Sequence, residues 1–124
     1  MSKKLRIGMF GYGVVGHGLY DVLHKTKGLN AEIVRIAVKH PDKKRDLPAE
    51  LFTFDKNDIL KDDSLDVVVE LIDNADEAFD IVSTALKKGK AVVSANKKLI
   101  AEHLQELYDL QKKHDVPFLY EGSV

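Results

Sequence analysis

The run Asp66-Val67-Val68-Val69-Glu70-Leu71-Ile72 constrains the fold more than any other segment. A strand that is apolar almost without interruption is buried on both faces, as at the centre of a parallel sheet. Around it, short apolar runs alternate with segments of helical period. Residues 5–10 read as a strand and 11–13 as a turn. Val14, Val15, Leu19, Val22 and Leu23 then recur at helical spacing as far as Lys27. Lys27-Gly28-Leu29-Asn30 reads as a helix stop and turn. Residues 33–38 form a β-branched second strand, 40–48 a charged loop bracketed by prolines, 51–54 a short third strand and 56–60 a short helix. Beyond the central run, Ala78, Ile81, Val82, Ala85 and Leu86 make one apolar stripe ending at Gly89. Residues 91–94 are a fifth strand and 99–113 a helix with Leu104, Leu107, Tyr108 and Gln111 along one side. A sixth strand starts at Pro117. Alternation of this kind with short connections predicts an α/β domain, an open, doubly wound, mostly parallel sheet.

Composition narrows the functional classes. The chain has 124 residues, 44% apolar and 31% charged, which suits one soluble globular domain and excludes a wholly disordered chain. With no cysteine there is no disulfide framework and no thiolate or Cys-based metal chemistry. Nineteen basic and twenty acidic residues leave a net charge of −1 and no electrostatic case for nucleic acid. Neither a signal h-region nor a membrane-length apolar stretch is present, so a cytoplasmic location is expected.

Gly11-Tyr12-Gly13-Val14-Val15-Gly16 matches G-x-G-x-x-G directly after a strand and at the opening of an amphipathic helix, the context that makes the pattern specific. Gly11 permits the tight turn, Gly13 lets backbone approach a pyrophosphate, and Gly16 lets the helix pack against the strand. The anion would rest on free N–H groups at the helix N-terminus. Gly8 and Gly18 fall outside the pattern and read as close-packing glycines. The cofactor-binding set is then Phe10, Gly11, Gly13, Val14, Val15 and Gly16, with residues at two further strand ends.

The first of these is the end of the second strand. An NAD site places an Asp or Glu there to hold the ribose hydroxyls. This chain has Val38-Lys39-His40 instead, and Glu32, at the opposite end of the strand, lies about 20 Å away. Lys39, with Lys43, Lys44 and Arg45 behind it, suits a 2′-phosphate, so NADP is expected to be preferred, or accepted equally with NAD. The second is Ser94-Ala95-Asn96-Lys97, at the carboxyl end of the fifth strand where open α/β sheets gather ligands. A hydroxyl, an amide and an ammonium there suit orienting a nicotinamide and polarising a substrate oxygen. An alternative makes Ser94 and Asn96 helix caps followed by exposed lysines.

With these segments in order, the chain resembles the N-terminal nucleotide-binding domain of homoserine dehydrogenase. That family runs G-x-G-x-V-G, then V-V-V-E-L-I, then V-[TS]-A-N-K, and ends in [YE]-E-A-[ST]-V. The corresponding residues here are 11–16, 67–72, 93–97 and 120–124. The resemblance implies a Rossmann-like fold with helices on both faces, over residues 1–124 as one dinucleotide-binding domain. It implies NADP- or NAD-dependent interconversion of L-homoserine and L-aspartate 4-semialdehyde, in threonine and methionine biosynthesis. Ser94 and Asn96 would border the nicotinamide, and Lys97 would be the catalytic lysine near hydride transfer, either as an electrostatic or as a proton-transfer group. Glu121 and Val124 would begin a sodium-binding segment. The full-length enzyme would be a homodimer, with a further domain supplying the remaining catalytic lysine and the homoserine-binding acids. The chain is thus expected to be the cofactor-binding half, binding nucleotide weakly and turning nothing over alone.

The sequence departs from the family at Asp73-Asn74, where a glycine pair is usual, and at Gly122, where alanine is usual. Asn tolerates positive φ, which would partly replace the glycines. The rival assignments are another reductase of the same plan, such as an aspartate dehydrogenase or a dihydrodipicolinate reductase, and a nucleotide-sensing module without chemistry. His17, His24, His40, His103 and His114 are scattered singly with no ligand spacing.

Overall fold

The computed structural model describes residues 4–25, 30–39 and 47–120. Six parallel strands, β1 (Leu5–Phe10), β2 (Ala31–Ala37), β3 (Phe52–Thr53), β4 (Val67–Glu70), β5 (Ala91–Ser94) and β6 (Phe118–Tyr120), form one sheet in the order β3-β2-β1-β4-β5-β6. Helices α1 (Val14–Lys25), α2 (Asn57–Leu60), α3 (Ala75–Lys87) and α4 (Lys97–His114) connect them. The chain winds outward from β1 to β3, then crosses back to β4 on the other side of β1. That reversal places a switch point at the C-terminal ends of β1 and β4, where an open α/β sheet forms its crevice. This is the doubly wound, Rossmann-like sheet expected from the alternating pattern.

Alternation along β1 divides the core in two. Phe10 points with Val68 and Val92 to a cluster built from α2, α3 and α4, while Ile7 and Met9 point with Ile33, Ile36 and Val69 toward Leu19 and Leu23 of α1. Among the described residues, one face therefore carries three helices and the other one. The single helix does not reach β5 and β6: Val93 and Leu119, register partners on that face, stay 38% and 57% exposed.

Close packing explains Gly8, where an added Cβ would lie 2.5 Å from Ile59 Cγ2. Gly18 differs from expectation: a Cβ there meets nothing within 4 Å, because this turn of α1 faces outward. The α3 stripe ends as expected, in a Schellman motif. Gly89 takes φ 79°, and the N–H groups of Gly89 and Lys90 donate to the carbonyls of Leu86 and Ala85, each at 3.0 Å. The buried side of α4 is not the predicted one. Leu99 and Leu107 are buried with Ile100 and Leu110 against them, whereas Leu104 and Tyr108 are exposed. Both stripes contain Leu107, and packing onto α3 selects the other. Sheet contacts also shorten the third strand to two residues, after a 3₁₀ turn at Ala49–Leu51. The expected turn at 27–30 and the loop at 40–48 fall mostly outside the described residues.

Candidate functional site

At the end of β1 the chain turns sharply. Gly11 has φ 97°, its N–H donates to Ala37 O at 2.9 Å, and a Cβ on it would lie 3.2 Å from Leu71 O. A left-handed φ and a crowded neighbour together require glycine there. Gly13 immediately precedes α1, its carbonyl accepting from the His17 N–H at 2.9 Å. The N–H groups of the first turn that follows have no carbonyl four residues back to bond. A Cβ built on Gly13 has no atom within 4 Å, so the approach to these N–H groups is open. Gly16 is buried, with its Cβ position 3.0 Å from Gly11 O and 3.4 Å from Met9 Cε, which seats the helix on the strand. Tyr12 turns aside, edge-on to Phe52 at 5.4 Å between ring centroids. Of the other predicted loop residues, Phe10 offers only backbone because its ring is in the core, Val14 is placed by its backbone at the start of α1, and Val15 is 65% exposed.

Lys39 lies two residues past the end of β2. Its Nζ lies 2.7 Å from Glu77 Oε2 in the first turn of α3. Glu32 is paired in register with Arg6, at the far end of the sheet from this crevice. Lys43, Lys44 and Arg45 lie outside the described residues, as do Glu121 and Val124, the expected sodium ligands, and Gly122.

The polar atoms of Ser94 and Asn96 are engaged inside the protein. Ser94 Oγ donates to Glu70 Oε1 at 2.7 Å and accepts from the Asn96 N–H at 3.2 Å. Asn96 Nδ2 donates to Ile72 O at 2.8 Å, and its Oδ1 caps α4 by accepting from the Leu99 N–H at 3.0 Å. The helix therefore opens two residues earlier than the apolar pattern suggested. Glu70, fully buried, completes the bracket with Oε2 accepting from the Ile72 N–H at 2.8 Å. β4 ends at Glu70, although Leu71, whose N–H still donates to Phe10 O at 2.9 Å, and Ile72 continue the apolar run. Burial holds the Glu70 carboxyl above its ordinary value of 4.5, against the downward pull of the hydrogen bonds from Ser94 and Ile72. Sequence reasoning passed over Glu70. Its one signal was a carboxylate embedded in an otherwise apolar strand, which must find donors when buried.

Ser94, Ala95, Asn96, Lys97, Ile100 and Ala101 line a cavity of about 210 Å³ at this edge. Lys97 is the first residue of α4, exposed at the cavity, and Lys98 follows it with no acid in the first turn. Two cations at the positive end of a helix oppose its dipole. Replacing Asn96 by alanine removes the cap and the tie to Ile72. Urea denaturation is expected to show a loss of about 1–2 kcal/mol.

Asn74, in place of a family glycine, has φ −84° and caps α3 by accepting from the Glu77 N–H at 3.0 Å. Its tolerance of positive φ is not used. Three of the histidines pack locally: His17 lies tilted against Tyr12, His24 stacks on Tyr20 and accepts from the Ile33 N–H, and His103 stacks on Phe79.

Comparison with known proteins is decisive for the family. Residues 11–121 match the family model described as homoserine dehydrogenase, NAD binding domain. The chain belongs to that family. Curated relatives include homoserine dehydrogenases from Pseudomonas aeruginosa, 35% identical over 98% of this chain, and Bacillus subtilis, 34% identical over 98%. The chain spans about 30% of the length of each. Among solved structures, a Staphylococcus aureus homoserine dehydrogenase superposes with a TM-score of 0.87 at 37% identity, covering 97% of this chain and 33% of its own. A hyperthermophilic archaeal homoserine dehydrogenase in complex with NADPH, 22% identical over 98% of this chain and 44% of its own, shares the fold with a TM-score of 0.80. The family match takes in the glycine loop, the Glu70 bracket and Lys97. Among the described residues no helix is long and apolar enough to cross a membrane.

Proposed function

We propose that this chain is the cofactor-binding half of a homoserine dehydrogenase, which interconverts L-homoserine and L-aspartate 4-semialdehyde with NADP or NAD. The observation that carries this is the open approach over Gly13, between a left-handed Gly11 and a tightly packed Gly16. A pyrophosphate laid there meets bare N–H groups and the positive end of α1. The bound dinucleotide supplies or receives the hydride.

The chain's own residues hold and orient. The Glu70–Ser94–Asn96 bracket fixes the loop after β5 to the loop after β4, so the cavity edge that faces the nicotinamide does not drift. Ser94 and Asn96 act by positioning this edge, since their polar atoms are already committed. Lys97 stands at the same edge as a cation that steadies charge developing on the substrate oxygen. Its place as the first residue of α4 puts it among the residues that line the cavity. The second domain, the homodimer, the sodium segment at Glu121 and Val124, and a cytoplasmic setting complete the proposal.

Gly13→Ala tests it. A methyl group there meets no protein atom, so the melting temperature without ligand is expected to stay within about 3 °C of the parent chain. It would stand where the pyrophosphate lies, and calorimetric titration is expected to show at least about tenfold weaker NADP and NAD binding, about 1.4 kcal/mol. Unchanged affinity, or no binding of either dinucleotide by the parent chain, would overturn the assignment.

A further inference from the structure

The glycine loop calls for a ribose-binding acid at the end of the second strand, and β2 ends at Ala37 and is followed by Val38 and Lys39, with no acid there. The fold brings an acid to that place from elsewhere. Gly11 is flanked on one side by β2, through its bond to Ala37 O, and on the other by Leu71, whose carbonyl lies 3.2 Å from the Gly11 Cβ position. Lys39 follows the first flank by two residues and Glu77 follows the second by six. Their ion pair, 2.7 Å from Nζ to Oε2, therefore bridges the crevice above β1. In a capping box the glutamate at the third helical position reaches back to the cap residue's N–H. Glu77 occupies that position of α3, yet its carboxylate is held at Lys39, thirty-eight residues earlier in the chain.

We infer that Glu77 is the ribose-facing carboxylate of this site, and that its pair with Lys39 sets the choice between NAD and NADP, an inference that rests on the dinucleotide reading above. A 2′-hydroxyl fits between the two groups, donating to the carboxylate and accepting from the ammonium. A 2′-phosphate that reaches Lys39 meets the Glu77 carboxylate as well and must separate the pair. Lys39 alone would favour NADP; the pair restores acceptance of NAD. Both side chains are substantially exposed, 60% for Lys39 and 37% for Glu77, so either substitution leaves the fold intact.

Dissociation constants for NAD and NADP, measured by titration calorimetry at one fixed ionic strength, test this on the parent chain, Glu77→Gln and Lys39→Gln. Glu77→Gln is expected to tighten NADP and weaken NAD, moving the ratio about tenfold toward NADP. Lys39→Gln is expected to weaken NADP about tenfold and leave NAD within about threefold. Glu77→Gln changing both cofactors equally, or neither, would overturn the role of Glu77 while leaving the dinucleotide site standing. Binding of neither cofactor by the parent chain would overturn the site itself and this inference with it.

Discussion

Glu70→Leu is expected to destabilise the domain by about 3 kcal/mol in urea denaturation, because one buried and one partly buried donor lose their acceptor at once. Ser94 Oγ and the Ile72 N–H both bond to this carboxylate, and its side chain has no exposed surface. Leucine fills the volume and offers neither oxygen. Glu70→Gln keeps one acceptor and separates the hydrogen-bonding role from the charge. Burial raises the folded carboxyl above 4.5, so the folded protein binds this proton more tightly than the unfolded chain does. The stability that comes with the proton is fully present below 4.5 and is lost as pH climbs through the raised folded value. Glutamine does not titrate. Measured from about pH 4 to pH 8, the stability of the parent chain relative to Glu70→Gln is therefore expected to fall with rising pH. A flat difference would mean that burial does not govern this carboxyl. An undiminished Glu70→Leu variant would mean that the bracket does not hold the two loops.

Gly8→Val is expected to cost about 3 kcal/mol or more, the upper range for overpacking a core. The new Cβ would stand 2.5 Å from Ile59 Cγ2 and 2.9 Å from Leu65 Cδ1, and both neighbours are buried against the same sheet face. α2 is a single short helix, and lifting it would uncover Leu60 as well. Gly8→Ala is expected to lose less, with the melting temperature tracking the added volume. A Gly8→Val domain within about 1 kcal/mol of the parent would show that α2 moves freely over β1.

The sheet was legible because the strands are short and apolar and most are separated by one helical segment, and the central run at 67–72 leaves little alternative to a buried parallel strand. The glycine loop was legible for the same reason: its residue types answer to local demands, a left-handed turn at Gly11 and contact at Gly16. What could not be read depends on distant partners. Two stripes on α4 compete at similar spacing, and only the position of α3 decides that Leu99 and Leu107 go inward while Leu104 and Tyr108 do not. Ser94 and Asn96 advertise polar chemistry, but sequence alone does not reveal that Glu70, more than twenty residues away, has already engaged one of them. The carboxylate sought at the end of β2 was absent from the expected position, and no local pattern connects Lys39 to Glu77.

Among the described residues three helices cover one side of the sheet and one covers the other, and the difference falls at Val93 and Leu119. Oily side chains beside an outermost strand make a surface that wets poorly and attracts its like. Handled by itself at high concentration, the domain will be colloidally weakest there, and a pair of charges at these two positions is the simplest remedy.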